Sequence, residues 1–220
     1  MKLSDYRLFL VDLDDTLYLE RDYVLSGLTA VAGELARDAS EAEAIAAWLH
    51  HHFLTVGRDR ILDQCLSALG RSQSSDLIEH LVGIYREHDP AIALLPGATD
   101  LLKSLASMGS VVIVTDGLPS MQARKCHALG VAQWAVQTVY CWSQQAPKPD
   151  TASVLPLLGH YDGPVLMIGD NPGHDLCMAD RLGVDAVRLR QGRFAAEPSS
   201  PWTPVMEVAS PAELVERFRD

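Results

Sequence analysis

Residues 8–18 read LFLVDLDDTLY. The apolar run Leu8–Val11 fits a buried strand, and it ends in Asp12, Asp14 and Asp15, three carboxylates within four positions. Like charges crowded at the end of a buried strand repel one another, so the arrangement calls for a positive partner. Ligand sites of parallel α/β sheets lie just beyond the carboxyl ends of the strands, where loops and helix N-termini converge. The fold therefore turns on whether the rest of the chain alternates strand and helix around this first strand.

It does. Short apolar runs recur at VVIVT (111–115), AVQTVYC (135–141), VLMIGD (165–170) and DAVRL (185–189). Helical periodicity fills the intervals at 99–109, 120–130, 151–160 and 174–183, with Gly109, Gly130 and Gly183 standing where left-handed C-caps are expected. This spacing predicts right-handed βαβ units and hence a Rossmann-like α/β core of three layers, a parallel sheet with helices on both faces. The stretch 191–210, with many Pro, Ser and Gly residues, reads as a surface connection to a last helix at 211–219.

Residues 19–94 break the rhythm. They hold helical patterns near 22–38, 41–56, 58–70 and 75–88 and no strand pattern, after which LLPGA (94–98) leads into the next βα unit. The segment reads as a helical cap inserted into a core made of residues 1–18 and 95–220. The run LHHHFL (49–54) is not a metal motif, because consecutive histidines on a helix point in different directions, whereas an i, i+4 pair would converge. Trp48, Phe53 and Leu54 are expected to pack the cap's own core.

A chain of 220 residues suits one large domain or a domain with an insert. Its 18 Lys and Arg against 29 Asp and Glu give a net charge of -11, a surface that repels nucleic-acid backbones and anionic membranes. An anionic substrate would need positive charge supplied locally. The four cysteines form no CxxC pair, which argues against zinc or a disulfide framework and suits a reducing cytoplasm. No apolar run approaches the ~18 residues that a bilayer requires, and acids directly after Val11 do not follow the pattern of a cleaved signal peptide. The expectation is a cytoplasmic protein, a monomer or weak homodimer, with no nucleic-acid or membrane partner.

The residues at the predicted strand ends share one chemistry. DLDDT (12–16) follows the first strand, TDG (115–117) ends the second, KPD (148–150) precedes the fourth, and GDNPGHD (169–175) follows it. Carboxylates at Asp12, Asp14, Asp170 and Asp175, without His or Cys among them, favour a hard octahedral cation, above all Mg²⁺. A divalent ion would offset the repulsion noted above. Lys148 is a point charge suited to a phosphate oxygen or a carboxylate.

In this order and at these places, DLDDT, the Thr115 turn, Lys148 and GDNPGHD resemble the four motifs of the haloacid dehalogenase-like hydrolase superfamily, with the insert resembling that family's first class of helical cap. The resemblance implies that Asp12 attacks phosphorus to form an aspartyl-phosphate, while Asp14 protonates the leaving oxygen and later activates water. It implies Mg²⁺ held by the Asp12 side chain, the Asp14 main-chain carbonyl and the Asp170 side chain. Thr115 with the backbone N–H groups of Asp116 and Gly117 would bind phosphoryl oxygens, and Lys148 would neutralise charge in the transition state. Thr16, Asn171 and Asp175 would stand behind these groups: Thr16 near the nucleophile, Asn171 by the metal's water shell, Asp175 orienting metal-bound water or Lys148. The cap would close over a small phosphorylated substrate. Asp15 is expected only to shape the turn.

Within the resemblance, Asp14 favours phosphate-ester hydrolysis over dehalogenation, because departing halide needs no proton and an alkoxide does. A phosphomutase passing the phosphoryl group to a second sugar hydroxyl shares the same motifs. A non-catalytic phosphate-binding protein would be expected to have lost at least one of these groups.

Overall fold

The computed structural model describes residues 3–217. In chain order, β1 (Leu8–Val11) is followed by four helices, α1 (Glu20–Leu35), α2 (Ala39–Thr55), α3 (Ile61–Ala68) and α4 (Ser75–Glu87). Then come α5 (Ala98–Met108), β2 (Ser110–Thr115), α6 (Pro119–Leu129), β3 (Ala135–Tyr140), α7 (Leu155–Leu158) and β4 (Val165–Gly169). The chain continues through α8 (Cys177–Leu182), β5 (Asp185–Leu189), β6 (Met206–Val208) and α9 (Pro211–Arg217). Two compact units result, one joining the stretch up to Glu20 with the stretch from Ile92 on, the other Arg21–Ala91.

The first unit is a parallel sheet of six strands in the order β3-β2-β1-β4-β5-β6. All four residues of β1 are buried because the strand is central and covered on both faces. Leu8 and Leu10 join Val112, Val114 and Met167 in a cluster with Leu176 and Met178, next to Leu157 and Leu158 of α7. Alternation sends Phe9 and Val11 to the opposite face, and there α5 lies against β2 with α9 packed on it. Each large apolar side chain so buried contributes about 1.5–3 kcal/mol. No described helix is long and apolar enough to cross a membrane.

The second unit is helical. Val24, Leu28, Val31, Ala32 and Leu35 recur at helical spacing on α1 and meet Ile45, Leu49, Ile61, Leu66 and Leu81. The side chain of Asp38 caps α2 by accepting from the Glu41 N–H, and Ser74 caps α4 through the Leu77 N–H. Trp48 and Phe53 pack against this core as expected. Leu54 does not; it is 62% exposed. The His50 ring lies 3.0 Å from the Leu25 carbonyl, and His52 stacks on Trp48.

Several local expectations change. A sixth strand, β6, lies within the stretch read as a surface connection; three residues at a sheet edge are too few to show a period. The helix expected over 151–160 shrinks to α7, because Pro156 is accommodated only in a helix's first turn. Gly130 and Gly183 adopt left-handed caps, φ 64° and 67°, but Gly109 is extended. A Cβ at Gly109 would collide with the Arg7 carbonyl, so close backbone approach is what requires glycine there. Of the expected last helix, 218 and 219 lie outside the described residues.

Candidate active site

β1 pairs with β2 and β4 in one register, Val11 standing level with Ile113 and Ile168. The strands on its two sides follow in opposite directions across the sheet, so its carboxyl end is the topological switch point. Asp12 leaves β1 there with its N–H on the Ile168 carbonyl at 2.9 Å. One residue further along, Thr115 ends β2 and Asp170 directly follows β4.

Asp12 is buried, and both of its oxygens are engaged. Oδ1 accepts from Lys148 Nζ at 2.5 Å and Oδ2 from the Thr16 hydroxyl at 2.7 Å. Lys148, also buried, reaches Asp175 Oδ1 at 2.7 Å. Asp175 Oδ2 in turn accepts from the Asn171 backbone N–H at 3.0 Å. Asp175 fits this close because residue 169 is glycine: a Cβ there would overlap its carboxylate. Carboxylate oxygens of Asp12, Asp170 and Asp175 lie within 4.8 Å of one another.

Three carboxylates and one ammonium leave this cluster short of positive charge. Burial, together with the Asp175 and Asp14 charges, pushes Asp12 up to about 7 against the pull of Lys148. Burial and the charges of Asp12, Asp175 and Asp15 push Asp170 up to about 9. Burial disfavours the Lys148 ammonium, yet Asp12, Asp175 and Asp116 hold its proton more firmly than that of an ordinary lysine. Asp170 Oδ2 is buried with no hydrogen-bond partner among the described residues. An orphaned carboxylate oxygen beside Asp12 is what an all-oxygen cation site leaves when its ligands are already gathered. The donor set therefore fits a metal: Asp170 offers an unpartnered oxygen, and Asp12 and Asp175, whose oxygens each accept one hydrogen bond, stand within reach of it.

Asp14 belongs to a second cluster. Its Oδ1 accepts from Lys125 Nζ at 2.6 Å and from the Tyr18 hydroxyl, and its Oδ2 accepts from Gln122 Nε2 at 2.6 Å. Burial works against its charge, but Lys125 with the Tyr18 and Gln122 hydrogen bonds outweighs burial and keeps its carboxyl below the usual range. Gln122 also donates to the Thr115 hydroxyl. Gln122, Lys125 and Tyr18 were not singled out from the sequence. On α6 Gln122 and Lys125 share one buried face with Cys126 and Leu129, a burial that the sequence pattern of that helix does not show.

The remaining expected residues take structural contacts. Asp116 accepts from the Lys148 backbone N–H through its side chain, at 3.1 and 3.2 Å, and so ties the turn after β2 to the lysine's own backbone. Asn171 turns its side-chain oxygen to the N–H groups of Gly173 and His174, capping that turn. His174 stands half-exposed, 3.6 Å from Asp116. Asp15 is a turn residue, left-handed at φ 56°, accepting from Glu20 N–H at 2.9 Å and Arg193 N–H at 3.2 Å. Gln191 closes over the same turn by donating to the Asp15 and Thr16 carbonyls, both at 2.8 Å. Arg188, buried in β5, donates to the Asp170 carbonyl.

The sequence profile of the family described as haloacid dehalogenase-like hydrolase matches residues 6–183. This chain belongs to that family. The hydrolase is 27% identical, over 96% of both chains, to glyceraldehyde 3-phosphate phosphatase of Methanopyrus kandleri. Among solved structures it resembles a hydrolase of the same superfamily from Bacillus subtilis bound to magnesium, at 21% identity and TM-score 0.67 over 98% of this chain and 99% of that one. A β-phosphoglucomutase from Thermotoga maritima aligns with TM-score 0.67 at 16% identity, over 97% and 99% of the two chains. Likenesses this low in identity speak for the hydrolase's fold, a Rossmann-like parallel sheet with helices on both faces.

Proposed function

We propose that this hydrolase is a Mg²⁺-dependent phosphomonoesterase acting on a small phosphorylated molecule through an aspartyl-phosphate on Asp12. The observation that carries the reading is Asp14, a second carboxylate two residues after Asp12 and fixed by three side chains. An alkoxide must take up a proton as it leaves and a halide need not, so a fixed proton carrier beside the nucleophile supports ester hydrolysis over dehalogenation.

In the first half of the reaction an Asp12 oxygen bonds to phosphorus as the ester P–O bond breaks, and the leaving oxygen takes a proton from Asp14. Lys125 keeps Asp14 ionised in the free site, so that proton enters with the substrate, carried by the monoester as its monoanion. In the second half Asp14 takes a proton from water, the water oxygen bonds to phosphorus, and the bond from phosphorus to Asp12 breaks. Thr115 and the backbone N–H groups of Asp116 and Gly117 hold phosphoryl oxygens, and Lys148 balances charge at Asp12 and the phosphoryl group. Asp12, Asp170 and the Asp14 carbonyl would hold Mg²⁺, which when bound offsets the repulsion between Asp12 and an incoming phosphate. Magnesium bound to the Bacillus subtilis relative supports that choice of ion. The Methanopyrus kandleri relative makes glyceraldehyde 3-phosphate and similar short phosphate esters the first substrates to try.

The test is phosphate release from a panel of such esters, with Mg²⁺ and with chelator, by wild type and Asp12→Asn. Mg²⁺-dependent release of inorganic phosphate and free alcohol, abolished in Asp12→Asn, is expected. Full activity in Asp12→Asn would sink the mechanism, and an isomeric phosphate ester as product would mark a mutase.

A further inference from the structure

α6 carries two polar side chains where an amphipathic helix normally buries apolar ones. Gln122 and Lys125 are 2% and 5% exposed, yet they stand one turn apart on its inner face. Burying an ammonium beside a carboxylate brings little net stability over an apolar pair of the same volume, so its presence asks for another reason.

The hydrogen-bond pattern at Asp14 supplies one. A carboxylate oxygen offers about two lone pairs. Asp14 Oδ1 accepts from both Lys125 Nζ and the Tyr18 hydroxyl, and is filled. Among the described residues, Oδ2 accepts from Gln122 alone. One lone pair of the carboxylate is thus left open, and it lies on Oδ2. The Gln122 amide nitrogen has two hydrogens, and its other contact is the Thr115 hydroxyl. The same amide therefore sets the Asp14 carboxyl relative to a hydroxyl at the end of β2. The Lys125 ammonium also stands 5.9 Å from the centre of the Tyr18 ring, which keeps the third partner in place.

We propose that Gln122 and Lys125 are positioning residues for proton transfer: they close Oδ1 of Asp14, leave Oδ2 as the atom that exchanges the proton, and register it to Thr115. The inference rests on the role given to Asp14 under the proposed function. As the ester P–O bond breaks, its electron pair stays on the leaving oxygen, which takes the proton from Oδ2. In the hydrolytic half the proton of water goes to Oδ2 as its oxygen bonds to phosphorus and the bond to Asp12 breaks. Neither Gln122 nor Lys125 touches the reacting atoms; both act through Asp14.

The test is the dependence of kcat/KM on leaving group, from 4-nitrophenyl phosphate, whose phenolate leaves without a proton, to simple alkyl phosphates, which need one. This ratio reports only the steps up to formation of phospho-Asp12, so slow hydrolysis of that species does not mask the effect. Lys125→Met is expected to lose several-fold with the aryl ester and about 10²-fold with the alkyl esters, in line with general acid catalysis. Lys125→Arg should recover part of the alkyl loss. Gln122→Leu, which buries no unpaired charge, should steepen the same dependence and serves where Lys125→Met does not fold by circular dichroism. Equal losses with both ester classes in these variants, or no loss, would overturn the inference. Asp14→Asn in the same assay separates the two ideas. A steep dependence there with a flat one in Lys125→Met and Gln122→Leu rejects the positioning pair alone, and a flat one in Asp14→Asn rejects the role of Asp14 and the inference with it.

Discussion

At the scale of single residues, the three acids of the first loop have three different surroundings. Asp12 meets an ammonium and a hydroxyl, Asp14 meets the α6 pair and Tyr18, and Asp15 turns away to the backbone of residues 20 and 193. Asp15 combines a left-handed backbone with two hydrogen bonds, a pairing that Asp and Asn tolerate and Ala does not. Asp15→Ala should cost about 1–3 kcal/mol, from lost acceptors for two partly buried N–H groups and backbone strain. Asp15→Asn, which keeps the turn and one acceptor, should cost clearly less. Urea unfolding of the two variants measures the difference; equal losses would mean that the backbone conformation is not what Asp15 supplies. Asp12, Asp14, Asp170, Asp175 and Lys148 were readable as candidates in the sequence because acids and a lysine at the ends of apolar runs are out of place unless something binds there. Gln122 and Lys125 were not, because polar residues on a helix ordinarily mark its wet face. Only the burial of that face, a tertiary fact, reverses the reading.

At the scale of elements, β1 matters most. It is hydrogen-bonded on both sides and buried on both faces, so whatever sets its register sets Asp12 against Thr115 and Asp170. Leu10 lies in the core cluster with no exposure. Leu10→Ala should destabilise the protein by about 2–5 kcal/mol, the range for a fully buried leucine whose cavity cannot collapse. A chemical denaturation midpoint unchanged from wild type would contradict a rigid packing of this strand. The first five strands were readable because each holds a short apolar run of suitable length between helical patterns. β6 escaped because three residues carry no period, and α7 was overestimated because the pattern was followed through Pro156, which can only begin a helix.

At the scale of the whole molecule, the buried acids of the site tie stability to pH. Asp12 and Asp170 bind protons more tightly in the folded state, at about 7 and about 9, than the ordinary carboxylate value of 3.8 in the unfolded chain. The folded state then holds more protons, so this contribution to stability is complete below the unfolded value and is lost as pH rises through the two folded values. Without divalent metal the melting temperature should therefore fall between about pH 4 and about pH 9, and Asp170→Asn should flatten the alkaline part of that fall. Mg²⁺ should raise the melting temperature most at the alkaline end, where the ligands are deprotonated and mass action favours the bound folded state. A metal effect independent of pH would argue that these carboxylates are not its ligands.

The brace formed by Gln191 and Arg193 has one more consequence, in time. The loop with Asp12 is synthesised well before its Gln191 clasp, which lies 176 residues after Asp15 and beyond the end of the family match at residue 183. Arg188, which holds the Asp170 carbonyl, also follows that match. A nascent chain that already contains every motif acid still lacks the strap that fixes the turn between them, so that turn is held only once the ribosome has delivered β5 and the loop after it.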